Sequence, residues 1–128
     1  MFFTFAFCRV FATIVQTFLD IVMNTLNKTD QFLAWYNKLK DPIGKAGIAM
    51  RLQRAENGNF GDHKLLPDTG GIYEMRIFKG NGYRLYYAQQ GETIYLLLIG
   101  GSKDNQQNDI DKAKTLWQDI QEQNDEQS

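Results

Sequence analysis

The chain has 128 residues, 43% of them hydrophobic, which is enough for one domain with its own core and too few for two. Because Cys8 is the only cysteine and His63 the only histidine, the composition argues against an intramolecular disulfide, a cysteine zinc cluster, a His-rich metal site and a Cys/His nucleophilic site. Neither a GxGxxG nor a GxxxxGK[ST] loop occurs. We therefore expect no metal and no cofactor, and any chemistry must use Arg, Lys, Glu, Tyr or His63.

The formal net charge of -1 conceals two regions of opposite sign. Residues 24–103 carry eleven Lys and Arg against seven Asp and Glu, a net of +4. Residues 104–128 carry two against seven, a net of -5. A mildly basic body can bind a polyanion on one face, whereas an acidic end is more often a solvated end.

Residues 1–23 differ in kind from the rest, being dense in Phe, Val and Ile with Arg9 and Asp20 as their only charges. A secretory signal would need positive charge before the apolar run and a small-residue cleavage site after it, and neither is present. Three interpretations remain: an upstream mis-start ahead of a genuine start at Met23, which we favour, a membrane anchor interrupted by polar residues, or an added helix. We accordingly expect no stable membrane association and a cytoplasmic location.

From Asn24 onward the pattern predicts two helices, a sheet and a closing helix. Thr29 is suited to cap the first helix, and Asp41-Pro42 to open the second, which Asn57-Gly58-Asn59 ends. The closing helix is indicated by apolar residues at helical spacing, namely Ile110, Ala113, Leu116, Trp117 and Ile120.

Three strands are predicted between these helices. Residues 72–78 and 83–89 alternate in polarity and are joined by Lys79-Gly80-Asn81-Gly82, a tight hairpin turn. Residues 93–99 form an apolar strand buried on both faces. The fold class is therefore α+β, a small antiparallel sheet with two N-terminal helices and a C-terminal helix packed on one face.

The alternation places Glu74 and Arg76 on one face of the sheet, where a hairpin register brings Arg84 and Tyr86 alongside. This face is expected to point outward. Metal-free RNA cleavage must bind phosphate, move a proton and offset charge on the phosphoryl oxygens, and arginine performs the first and third tasks. Glu74 could act as general base if its pKa were raised, and Tyr86 or Tyr87 could stack a base or donate a proton. A surface with ordinary Glu–Arg ion pairs is the alternative.

Two residues of the preceding loop are further candidates. His63 has an ordinary pKa suited to proton transfer, although a lone loop histidine is more often solvated or structural. Lys64 is better placed as a phosphate contact, with a solvated lysine as the alternative. The aromatic residues expected in the core are Trp35, Tyr36, Tyr73 and Trp117.

Several ordered blocks together carry a family resemblance: LKDPIGKAGIAMRLQRAENGNFGDHKLL, GGIYEMRI, GNGYRLYY and LLLIGGSKDNQQNDI. Over about residues 29–116 the chain resembles the RelE/ParE toxin superfamily, in particular its phage-related, HigB-like addiction module killer branch. The resemblance implies a toxin of a type II toxin-antitoxin system that cleaves mRNA, often on the ribosome, and is silenced by an antitoxin encoded next to it, expected here to be a small helix-turn-helix protein. It implies a toxin domain over residues 24–121, followed by an acidic tail over residues 122–128.

Matched block by block, Arg76 takes the position of a basic strand residue, Arg84 that of the phosphate-binding arginine, and Lys103 that of the basic residue after the last strand. Glu74 stands where RelE has a lysine, and Ile110 falls near the place of its C-terminal catalytic tyrosine, so the RelE chemistry does not transfer directly. A ParE-like gyrase inhibitor and an inactive antitoxin-binding module stay open as alternatives. The candidate catalytic residues are Glu74, Arg76 and Arg84, and the candidate RNA-binding residues are Lys64, Lys103, Tyr86 and His63.

Overall fold

The structure is a computed structural model that describes residues 23–127. The apolar extension predicted over residues 1–23 therefore lies, apart from Met23, outside the described residues. The strands are β1 (Thr25–Lys28), β2 (His63–Leu65), β3 (Ile72–Ile77), β4 (Tyr83–Gln89) and β5 (Ile94–Ser102). The helices are α1 (Asp30–Lys38), α2 (Pro42–Glu56) and α3 (Gln106–Gln127), with a short 3-10 turn over Lys103–Asn105 before α3. Among the described residues, no helix is both long and apolar enough to cross a membrane.

The starts of the first two helices follow the sequence signals. The Thr29 hydroxyl accepts a hydrogen bond from the backbone N–H of Phe32 at 3.0 Å, which satisfies one of the free donors at the start of α1. Asp41 performs the same task for α2 by accepting from the N–H of Gly44 at 3.1 Å, and Pro42 occupies the first turn. Both predicted caps are confirmed.

The five strands form one sheet in the order β1-β5-β4-β3-β2. The antiparallel pairing of β3, β4 and β5 agrees with the predicted hairpin and with the α+β class. His63 and Lys64, which were expected in a loop, lie instead in β2, which pairs antiparallel with β3. The expectation of a purely antiparallel sheet is wrong at one edge, because β1 pairs in parallel with β5. Thr25–Lys28 is short, mostly exposed and without apolar alternation, so the sequence pattern did not mark it as a strand.

Helices cover both faces of this sheet, whereas the sequence predicted them on one. Helices α1 and α2 pack through Phe32, Ile48 and Leu52 on one face, called here the α1/α2 face. Helix α3 packs through Ala113 and Trp117 on the other, called the α3 face. The helix also continues to Gln127, so residues 122–127 belong to it.

Of the four aromatic residues expected in the core, Trp117 is buried, and its indole N–H donates to the Gly70 carbonyl at 3.0 Å. Trp35, Tyr36 and Tyr73 are only partly buried and line the rim of the core on the α1/α2 face.

Candidate functional site

The register of the sheet brings the predicted charged residues into two adjacent rows on the α3 face. Arg76 on β3 lies directly opposite Arg84 on β4. Glu74 lies opposite Tyr86 on one side and opposite Lys64 of β2 on the other. Residues directly opposite each other in an antiparallel pair point to the same face, so the predicted association of these side chains is confirmed.

The expectation that this whole face points to solvent is wrong, because α3 covers it. Glu74 has no exposed surface at all. Its two carboxylate oxygens accept separate hydrogen bonds, from Arg76 Nε at 3.2 Å and from Gln106 Nε2 at 2.8 Å. Gln106 is the first residue of α3, so Glu74 fixes both an arginine and the start of the helix.

The pKa of Glu74 bears on its predicted role. Burial alone would raise the pKa of this carboxyl, but the hydrogen bonds from Gln106 and Arg76, with the charges of Arg84 and Lys64, outweigh burial and lower it. The general-base role required a raised pKa. At neutral pH Glu74 is therefore a fixed anion that positions Arg76, and a weak proton acceptor.

The expectation that Tyr86 or Tyr87 stacks a base is wrong, since both are buried. Tyr86 lies beneath α3, and no hydrogen bond of normal geometry from residues 23–127 reaches its hydroxyl. Burial, with the nearby charges of Glu74 and Asp109, raises the pKa of Tyr86. Tyr87 lies on the α1/α2 face, and burial raises its pKa as well.

His63 is not part of the charged rows. It pairs with Met75, a residue of the α1/α2 face, and its ring lies 5.7 Å from the Phe60 ring and 6.2 Å from the Tyr73 ring. Its Nδ1 lies 2.9 Å from the Gly61 carbonyl oxygen. The structure therefore places His63 at the edge of an aromatic cluster, on the other side of the sheet from Arg76 and Arg84.

The remaining cations frame the arginine pair. Lys64 is exposed on the edge strand beside Glu74. Lys103 is exposed in the 3-10 turn that leads into α3, and its backbone N–H donates to the Gly82 carbonyl at 3.4 Å, which ties that turn to the hairpin turn before Arg84. We call Lys64, Arg76, Arg84 and Lys103 the cationic strip.

The cationic strip can bind anions. Arg76 keeps 33% of its side chain exposed although its Nε is bonded to Glu74, which leaves the rest of the guanidinium fork available for phosphate oxygens. Arg84 is half-buried, and its side chain makes no hydrogen bond or ion pair within residues 23–127. The partial positive charge at the start of α3 reinforces the strip.

The sequence reasoning missed two residues that organise this region. Gln106 carried no usable signal, because it lies in the uniformly polar run KDNQQND. Arg51 of α2 donates to the backbone carbonyls of Arg76, Phe60 (2.8 Å) and Asp62 (3.1 Å), and so joins α2 to β3 and to the loop before β2. The sequence could have indicated Arg51 through its position next to the apolar stripe of α2, because a charged side chain that is partly buried there needs hydrogen-bond partners.

The geometry defines a mixed α+β domain with a cationic strip on a helix-covered sheet face. Over 95 residues the chain is 43% identical to a protein of Haemophilus influenzae described as an uncharacterized protein, and the match covers 74% of this chain and 94% of that protein. The chain belongs to the same family as that Haemophilus influenzae protein. No family model matches the chain, and no solved structure matches it.

Proposed function

We propose that this protein is the toxin of a type II toxin-antitoxin system and cleaves mRNA, without a metal, on the ribosome. The observation that carries the proposal is the cross-strand pair of Arg76 and Arg84, flanked by two exposed lysines and supported by one buried carboxylate. Such a strip fits successive phosphates of a single RNA strand. The ordered sequence blocks that resemble the HigB-like branch support the same function.

In this proposal the 2'-hydroxyl of the RNA attacks the adjacent phosphorus and gives its proton to water, and the bond from phosphorus to the 5' oxygen breaks, with that oxygen taking a proton from water. Arg76 and Arg84 bind the phosphate and offset the charge that develops on its oxygens. Glu74 acts as a positioning residue, because its two hydrogen bonds hold Arg76 and the start of α3 in place. Lys64 and Lys103 extend phosphate binding on either side.

A second candidate is a non-enzymatic toxin that binds gyrase or another target through the same strip. The burial of Tyr86 and the lowered pKa of Glu74 favour it, because both remove groups that would otherwise transfer protons. An inactive antitoxin-binding module is the third reading. A helix-turn-helix antitoxin encoded in the adjacent reading frame would support all three candidate functions. Each of them places the protein in the cytoplasm.

The first experiment is expression of the chain from Met23 in bacteria, with growth as the measurement. We expect growth arrest, relief of the arrest by Arg84→Ala, and no relief by the control Arg54→Ala, which removes an exposed arginine of α2 outside the cationic strip. Circular dichroism and urea unfolding check that both variants fold. A folded Arg84→Ala protein that remains fully toxic would contradict the proposal.

The second experiment separates the enzyme from the binder. Purified protein is added to ribosomes programmed with mRNA, and one message carries 2'-methoxy in place of the 2'-hydroxyl at the cut site. We expect cleavage of the normal message alone. Cleavage of both messages rules out attack by the 2'-hydroxyl, and cleavage of neither, with loss of gyrase supercoiling, supports the second candidate.

A further inference from the structure

Strand β5, the last strand along the chain, has one edge that is paired over only half of its length. Strand β1 pairs with β5 over Ile94–Leu97. The chain then turns into α1 at Thr29, whose N–H donates to the Leu97 carbonyl at 3.1 Å and whose hydroxyl donates to the Leu98 carbonyl at 2.6 Å. Beyond Leu98, residues 99–102 pair with β4 alone, so within the described chain no strand covers their other side.

This open edge forms the floor of a groove of about 900 Å³, called here the β5 groove. Helices α1 and α3 lie on opposite faces of the sheet and supply its two walls. The side chains that matter for recognition are Trp35 and Leu39 on the α1 wall, and Asp109, Lys112, Leu116 and Asp119 on the α3 wall.

Two consecutive glycines in β5 allow both walls to approach the strand. A methyl group on Gly100 would overlap the Trp35 ring, and one on Gly101 would overlap the Asp109 carboxylate. Gly100 and Gly101 both line the groove between the two walls, although little of their surface is exposed. A groove floored by unpaired backbone is suited to another backbone in extended conformation.

The groove also selects for charge. It is lined by three carboxylates, Asp109, Asp111 and Asp119, and by one ammonium group, Lys112, which leaves a formal charge of -2. Asp109 is only 6% exposed, and its Oδ2 has no hydrogen-bond partner within residues 23–127. A buried polar atom without a partner is costly, so a cationic donor entering the groove would satisfy it.

We propose that the β5 groove binds an extended peptide segment of a partner protein, which adds a strand to β5 along residues 99–102. Side chains of an added strand alternate between the two walls. One set is apolar and contacts Trp35 and Leu39, and the other carries a central arginine or lysine directed at Asp109. The four open residues span about 13 Å, enough to pair with a segment of about four residues. This inference does not rest on the proposed function.

The test uses the full chain and the synthetic peptide LTVRVTL, acetylated and amidated, in which leucine and valine alternate with threonine and arginine. Nuclear magnetic resonance follows the backbone amides and the Trp35 indole during titration. We expect shifts at residues 99–102 and at Trp35, with slowed amide exchange along the open edge. No such shifts at about 1 mM peptide, where even a contact worth about 4 kcal/mol is visible, would overturn the proposal.

Backbone pairing has its own control. A strand pairs through the N–H groups of alternate residues, so only one edge of the peptide can face β5. One peptide is N-methylated on its two valines and another on its two threonines. We expect binding to be lost in one of them and retained in the other, whereas retention in both, or loss in both, contradicts strand addition.

Charge selection is tested with LTVEVTL and with variants of the groove. We expect the glutamate peptide to bind at least about tenfold more weakly than the arginine peptide, since a hydrogen bond between charged groups contributes about 1.5 kcal/mol or more. Asp109→Asn and Asp119→Asn should each reduce this preference. Glu126→Gln is the matched control, because it removes an exposed carboxylate of α3 outside the groove. Equal affinity for both peptides, or a loss with Glu126→Gln as large as with Asp109→Asn, contradicts the proposal.

Discussion

Replacing Glu74 with alanine should lower the free energy of unfolding by about 3 kcal/mol. The carboxylate is fully buried and accepts one hydrogen bond from Gln106 at 2.8 Å and one from Arg76 at 3.2 Å. A hydrogen bond to a buried charge contributes about 1.5–3 kcal/mol, and the contribution from Arg76 falls at or below the lower end because a third of its side chain is exposed to solvent. The loss also leaves the Gln106 amide, at the start of α3, without its acceptor.

Urea unfolding followed by far-ultraviolet circular dichroism measures this change. Glu74→Gln keeps the shape and one acceptor, so we expect about half the loss. Gln106→Ala should cost about 1–2 kcal/mol, and the double variant Glu74→Ala/Gln106→Ala should be less destabilised than the sum of the two, since both remove the same bond. A Glu74→Ala protein within about 0.5 kcal/mol of the natural chain would refute the reasoning, because that is the range of an ordinary surface substitution.

Three other substitutions test separate parts of the fold, each by urea unfolding. Thr29→Ala should lose about 1–2 kcal/mol, since the hydroxyl caps α1 and also donates to the Leu98 carbonyl; Thr29→Ser should recover most of it. Gly100→Ala should lose about 1–3 kcal/mol with a changed Trp35 fluorescence, because the methyl group displaces the ring. Burial raises the pKa of Asp109 in the folded protein above its ordinary value of 3.8. Between that ordinary value and the raised one, the folded state holds the Asp109 proton more tightly than the unfolded state, so the free energy of unfolding falls as pH rises. Asp109→Asn should remove that slope, and an unchanged pH profile would contradict it.

Local signals in the sequence were enough for the three helices, for the three longest strands and for the hairpin between β3 and β4. A threonine and an aspartate cap at the expected positions, and the alternation of β3 places Glu74 and Arg76 on the same face, as observed. These features depend on neighbours within a few residues, where the stereochemistry of caps, turns and strands is nearly fixed. For the same reason the strand Thr25–Lys28 escaped detection, because its pairing with β5 depends on contacts about seventy residues away.

The charged residues of the cationic strip were predicted from the sequence, but their exposure was not, and His63 lies on the other face of the sheet. The alternation of side chains along a strand assigns each one to a face of the sheet, but the position of α3 decides whether that face is exposed to solvent. The amphipathic pattern of α3 gives its apolar residues without stating which side of the sheet they contact. Because α3 covers this face, Glu74 and Tyr86 cannot have the roles predicted for them. A buried carboxylate bonded to two donors holds those donors in place, and a buried phenol cannot reach a base.

The two buried carboxylates of the α3 face have opposite effects on the docking of that helix. Glu74 accepts a hydrogen bond at the start of α3 and stabilises its attachment, whereas Oδ2 of Asp109, one turn further along, has no partner in the part of the chain that the structure describes and opposes it. Because Glu74 also holds Arg76, loosening α3 disturbs the cationic strip together with the fold. The Arg84 side chain makes no hydrogen bond or ion pair within the described chain, so Arg84→Ala leaves both hydrogen bonds of Glu74 in place. If the proposed toxicity is observed, its loss in Arg84→Ala would therefore report on anion binding, and its loss in Glu74→Ala on folding as well.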